Sequence, residues 1–154
     1  MIKDKRIDSL IDALSPTFAK FPHLPKGAID VLVSIAPWLA LIFGALGIVG
    51  VLSGIAGLIG VSSIAMMYAS VVGTILSGIS IWVIFPLLFS LVASVLELLA
   101  YPGLRDRKAA GWRYMFVSQT VAILGFLVSM NIVPVVLSFL IGYYILFELK
   151  SSYK

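Results

Sequence analysis

The stretch VLVSIAPWLALIFGALGIVGVLSGIAGLIGVSSIAMMYASVVGTILSGISIWVIFPLLFSLVASVL, residues 31–96, contains no Asp, Glu, Lys, Arg or His. A second stretch, from Tyr114 to Phe147, is equally free of charge. The hydrocarbon core of a bilayer is crossed by roughly 20 apolar residues of helix. A soluble domain of 154 residues has too small an interior to hide two such stretches from water. Lipid is therefore the expected solvent for most of this chain. The expected fold class is all-α: a polytopic helical membrane protein.

Composition points the same way. Charged residues make up 12% of the chain, against about 25% in soluble domains. The mean hydropathy is +1.13. There is no cysteine, which excludes a disulfide framework, a thiolate nucleophile and a thiolate-ligated metal site. A net charge of +4 would suggest nucleic acid in a soluble protein. Here Lys and Arg flank the apolar stretches, where the positive-inside bias and anionic lipid hold them. The expected partners are the lipid bilayer and another membrane protein or a second copy of this chain, with no nucleic acid. The apolar sequence begins only after Lys26 and runs far past the core of a signal peptide, so the start does not read as one.

Residues 1–27 form the expected cytoplasmic amphipathic segment. Ile7, Leu10, Ile11, Leu14 and Phe18 recur at helical spacing, with Lys3, Asp4, Lys5, Arg6, Asp8 and Asp12 on the other face. That pattern fits a short helix lying on a membrane surface, or one packed on the rest of the protein. Ser15-Pro16 is expected to interrupt it, and Pro22 and Pro25 to end it. Residues 28–154 form the transmembrane domain, with four spans expected near 28–59, 62–101, 112–130 and 132–149. The basic cytoplasmic loop is expected at 102–111, opened by Pro102-Gly103 as a helix stop. Arg105, Arg107, Lys108 and Arg113 are its topogenic charges. Lys150 and Lys154 close the chain. Three basic segments on the cytoplasmic side require an even number of crossings between each pair, which places both termini there. An extra crossing at 54–76 is the five-span alternative.

The last two spans meet at a turn at Ser129-Met130-Asn131, with Pro134 suited to the first turn of the following helix. The first two are too long for ordinary spans. Breaks are expected at Gly60 with Ser62 and Ser63, and at Ser77-Gly78. Wound at about 100° per residue, Gly47, Gly50, Gly54 and Gly57 lie toward one side of the first arm. Ser70, Gly73 and Ser77 do the same on the second. Small faces let helix backbones approach closely in lipid, so these residues are the expected packing seam of an antiparallel hairpin.

Few residues offer chemistry. Charge inside a membrane is costly and marks a candidate site. Glu97 lies about five residues inside the end of its span, and Gln119 lies at similar depth on the return, beside Ser118 and Thr120. Tyr143 and Tyr144 reach the same layer. Glu97, Ser118, Gln119, Tyr143 and Tyr144 therefore form the expected polar intramembrane cluster, able to bind a cation or proton, or to hold helices in register. Asp30 and Glu148 read as boundary charges. His23, the only histidine, has no ligand partner in sequence, so no metal site is expected. No catalytic residues and no cofactor are expected, because the hydrolase, zinc and phosphate-loop motifs are missing. The expected function is a non-enzymatic assembly or scaffold subunit acting through small-residue faces. The alternative is an oligomeric transporter or channel component built on Glu97 and Gln119.

Overall fold

A backbone in lipid has to satisfy its own N–H and C=O groups, and this chain does so as helix. The computed structural model describes the backbone of residues 5–67 and 71–154, and the side chains of residues 5–60 and 84–154. Helix α1 spans Lys5–Phe18, α2 Lys26–Met67, α3 Val71–Arg105 and α4 Ala109–Val128. The final segment is α5 Ile132–Leu137, a π-turn at Ser138–Gly142, α6 Tyr143–Leu149 and a 3-10 turn at Lys150–Ser152. No strand occurs among the described residues. Three helical stretches are long and apolar enough to cross a membrane: Lys26–Gly60, Ile84–Arg105 and Ile132–Ser152. Helix α4 has the length, 20 residues, but carries Arg113, Ser118, Gln119 and Thr120.

Several expected breaks do not occur. Helix α1 runs through Pro16 to Phe18. Helix α2 continues through Gly60, Ser62 and Ser63 to Met67, and α3 through Ser77-Gly78 and Pro102 to Arg105. Within an apolar stretch no water competes for the backbone, so Gly and Ser end a helix poorly. Pro16 and Pro102 cost their helices one backbone hydrogen bond each without ending them. The basic loop thus shrinks to the turn at 106–108, where Arg107 takes φ 53°. The other short turn is where expected: Met130 has φ 54° and Pro134 sits in the first turn of α5.

Helices α2 and α3 pack antiparallel. Val33, Pro37, Ala40, Gly44, Gly47, Val51 and Gly54 are buried or half-buried, alternately four and three residues apart. That 3.5-residue period is the seam of a left-handed helix pair. A Cβ at Gly44 would lie 2.9 Å from the Ser94 carbonyl, and one at Gly54 2.8 Å from the Leu87 side chain. Gly47 faces the Ser94 side chain, and the Trp38 and Tyr101 rings meet edge to face. Of the expected seam residues, Gly47 and Gly54 thus face α3. A Cβ at Gly50 or Gly57 would meet nothing within 4 Å, because each lies one residue short of a covered position, Val51 or Leu58, and so about 100° round the helix from it. Gly44, not among the expected residues, takes their place. Ser70, Gly73 and Ser77 fall outside the residues whose side chains are described.

Helix α4 returns antiparallel to α3. Gly125 meets Phe89 at one end, and Gly111 lies backbone to backbone with Gly103 at the other. The chain's core gathers at that second end. Phe18 of α1, 3% exposed, touches the rings of Phe139, Tyr143 and Phe147. Ile11 is buried with it, and Ile7 and Leu14 pack alongside. Ile7, Ile11, Leu14 and Phe18 thus pack on the protein, while Leu10 is 48% exposed. The segment after α1 is strapped down as well. Glu148 accepts the Leu24 N–H at 3.0 Å and pairs with His23 Nδ1 at 2.7 Å, and the Tyr144 hydroxyl donates to the Pro22 carbonyl. Glu148 and His23, which looked unpartnered in sequence, hold each other.

Candidate functional site

A polar side chain deep in an apolar bundle needs a partner, and the need for partners shapes this site. Ser118 of α4 is 1% exposed. Its hydroxyl lies 3.0 Å from the Ala93 carbonyl and 3.3 Å from Glu97 Oε1. A hydroxyl has one proton to give, and the shorter contact takes it. Glu97 is left with a long, shared donor and no other hydrogen-bond partner among the described residues.

Gln119 turns away from Glu97. Its amide donates to the Ser138 carbonyl at 2.9 Å. Ser138 opens the π-turn, which widens the last helix where the Gln119 side chain arrives. Gly142 makes the same approach possible, since a Cβ there would lie 2.3 Å from Gln119 Nε2. A π-turn of this kind often marks a functional position. Thr120 and the Tyr143 hydroxyl are 2.8 Å apart. Of the expected cluster, Glu97 and Ser118 are joined directly, and Gln119 and Tyr143 tie α4 to the last helix. Tyr144 belongs to the strap. Arg113 reaches Asp8 at 2.9 Å rather than Glu97. Ser138 and Gly142 were missed, although a polar and a small residue one turn apart in an apolar segment were a readable signal.

Space surrounds this cluster on both sides. A cleft of about 1110 Å³ runs between α2, α3, α4 and the π-turn, from Met130 and Asn131 down to Glu97 and Gln119. Ser90, Ser94, Ser129 and Ser138 line it too. A smaller cavity of about 240 Å³ continues from Glu97 and Gln119 toward Trp112, Leu149 and Tyr153. Phe43, Glu97 and Gln119 line both spaces and so form the septum between them. Trp112 and Tyr153 in turn separate the smaller cavity from an outer one of about 360 Å³, walled by Asp8, Asp12, Arg113 and Lys150. The Tyr153 hydroxyl is the buried side-chain polar atom without a hydrogen bond among the described residues. Burial pushes its phenol above the usual tyrosine range, against the opposing pull of Arg107.

The basic residues frame this last end. Lys108 binds Asp106 at 2.6 Å, and the Lys154 backbone bonds to Arg107 and Ala109. Lys150 lies over the Trp112 ring, 5.7 Å from its centre. No group of three His, Cys, Asp or Glu side chains capable of holding a metal occurs among the described residues. No protein family, no curated protein and no solved structure matches this chain.

Proposed function

We propose that this chain is a small, non-enzymatic membrane transport component, in which a solute enters the large cleft, meets Glu97 and leaves by the smaller cavity. The observation that carries this reading is the shared septum: Phe43, Glu97 and Gln119 wall both spaces. A conducting path needs polar groups along its length. Asn131 and Ser129 supply them at the mouth, Ser90 and Ser94 in the middle, Glu97 and Gln119 at the septum, and the Tyr153 hydroxyl in the otherwise apolar smaller cavity.

The topology that goes with it has four crossings and both termini in the cytoplasm. Helix α4 runs antiparallel to the candidate span in α3 and pairs with the last one through Gln119 and Thr120. A chain linking two parallel crossings has to return through the same thickness. The continuity of α2 to Met67 supports four crossings over five. Arg107, Arg113, Lys150 and Lys154 gather at one end, which the positive-inside bias assigns to the cytoplasm.

The absence of native cysteine makes the test clean. Ala122→Cys in the large cleft is expected to react with a membrane-impermeant thiol reagent from the face opposite the basic end. In liposomes, solute flux is expected to fall to background in Glu97→Gln. A thiol at that position inert from both faces overturns the path.

A second reading, assembly through small-residue faces, is favoured by Gly50 and Gly57, which lie uncovered on the outer side of α2. Gly50→Leu is expected to reduce the oligomer mass measured in mild detergent. Unchanged mass removes this reading.

A further inference from the structure

The two spaces that meet at Glu97 carry one sign of charge. Among their described lining residues Glu97 is the only acid, and there is no Lys, Arg or His. An anion entering there would meet a carboxylate and no cation. The carboxylate itself is poorly supplied: its one hydrogen bond is the 3.3 Å contact with Ser118, whose proton the Ala93 carbonyl also claims. A charge held away from water without a partner is costly. Glu97 therefore gains from a positive group brought to it.

The walls decide what kind of cation. A divalent ion is held by several carboxylates or imidazoles, and no group of three acidic or histidine side chains occurs among the described residues to hold one. The walls of the large cleft that lead to this single acid are instead apolar, with Met130 at the mouth, Pro86 and Leu87 further in, and Phe43 and Phe126. Aromatic faces attract a diffuse cation, and apolar walls reward its hydrocarbon parts. The volume of about 1110 Å³ is at or above the upper range for sites that enclose drug-sized molecules.

We infer that the ligand of this site is an amphipathic organic monocation, held with its charge at Glu97 and its apolar groups against Phe43 and Phe126. The inference rests on the transport reading for its cleft, and adds the charge and class of what the cleft takes.

The test uses the whole protein in lipid nanodiscs and two probes of equal size and opposite charge, tetraphenylphosphonium and tetraphenylborate. The phosphonium is expected to bind the native protein, and Glu97→Gln to weaken that binding about tenfold or more, the scale of one lost charge contact. Glu97→Asp, which keeps the charge, is expected to retain most of it. Thermal melts of each variant separate a lost contact from a lost fold. Phosphonium binding untouched by Glu97→Gln overturns the inference, as does borate binding as tightly as phosphonium in a Glu97-dependent way. The reactivity of Ala122→Cys is independent of both probes. A reactive thiol with no phosphonium binding discards the ligand class and leaves the path standing, whereas an inert thiol discards the path itself.

Discussion

The two ends of this helix bundle are built on opposite principles. At the basic end, α1, the 106–108 turn, α6 and the carboxyl terminus are locked by interleaved rings, ion pairs and backbone hydrogen bonds. At the other end a cleft of about 1110 Å³ opens beside the contact of Gly125 with Phe89, and the turn residue Met130 is 85% exposed. In the topology proposed, the basic end faces water, so burying Phe18 and Ile11 is rewarded by the hydrophobic effect. Within lipid that reward is absent, and helices associate by close packing alone. A bundle anchored hard at one end can leave a cavity at the other without falling apart.

The sharpest way to break this contrast is at the glycines. A Cβ at Gly111 would lie 2.3 Å from the backbone of Gly103 and Leu104. Backbone cannot swing aside as a side chain can. Gly111→Leu is expected to cost about 3 kcal/mol or more, at the upper end for overpacking, and to show as loss of monodisperse protein in detergent. Gly50→Ala meets nothing within 4 Å and is expected to be neutral or to stabilise by up to about 1 kcal/mol, since Ala is the better helix former. Equal effects at the two positions would mean that close backbone contact does not hold the anchored end.

Next in size is Phe18. It contacts three rings of the last helix and is almost wholly buried. Phe18→Ala is expected to cost about 3 kcal/mol, as for a buried aromatic truncated in a core, and to expose the strap at residues 19–25 to protease. A loss under about 1 kcal/mol would show that α1 is a peripheral helix with no part in the anchor.

The helical class of this chain was legible because it depends on the lack of charge between Asp30 and Glu97, a signal carried by every residue in the stretch. The glycine seam was half legible. Gly47 and Gly54 were on the covered face, but Gly50 and Gly57 were not, because each stands one residue, about 100°, before a covered position, Val51 or Leu58. The helix ends were misread for a different reason. Ser77-Gly78 is a stop signal calibrated on chains in water, and a backbone within lipid stays helical. Pro16 and Pro102, at the basic end, cost their helices one backbone hydrogen bond each, and the helices absorb it. For the candidate site, depth alone placed Glu97, Ser118, Gln119 and Tyr143 in one layer. It could not say that Gln119 would pass Glu97 by and bond Ser138, since that depends on the rotation of α4, although Ser138 and Gly142 marked the place where the last helix could receive a polar side chain. Contacts across more than a hundred residues, such as His23 with Glu148, were beyond any local pattern.

A smaller effect separates the ion pairs from the packing. Asp8 and Arg113 lie 2.9 Å apart, with side chains 45% and 23% exposed. Partly exposed pairs contribute little, because water screens them. A double-mutant cycle on Asp8→Ala and Arg113→Ala is expected to give a coupling of at most about 1 kcal/mol, shrinking as salt is raised toward about 1 M. A coupling above about 3 kcal/mol that ignores salt would place the pair among buried ones and make charge, not packing, the anchor of this end.

The smallest expected effect lies at the turn itself. The hydrogen bond and charge of Lys108 hold the Asp106 carboxyl below the usual carboxylate range, opposed by slight desolvation and aided further by Arg105. A carboxyl lowered in the folded state favours folding when ionised. Its contribution is present above the ordinary carboxylate pKa of about 3.9 and is lost as pH falls through the lowered folded value. Melting curves of the native protein and Asp106→Asn are therefore expected to differ slightly near neutrality and to converge in acid. Asp106 is fully exposed, so the gap should be the narrowest of those considered and should close in high salt. Curves that instead diverge as pH falls would reverse the sign, and would mean that the ionised carboxylate disfavours the turn that Lys108 and the backbone of Lys154 hold together.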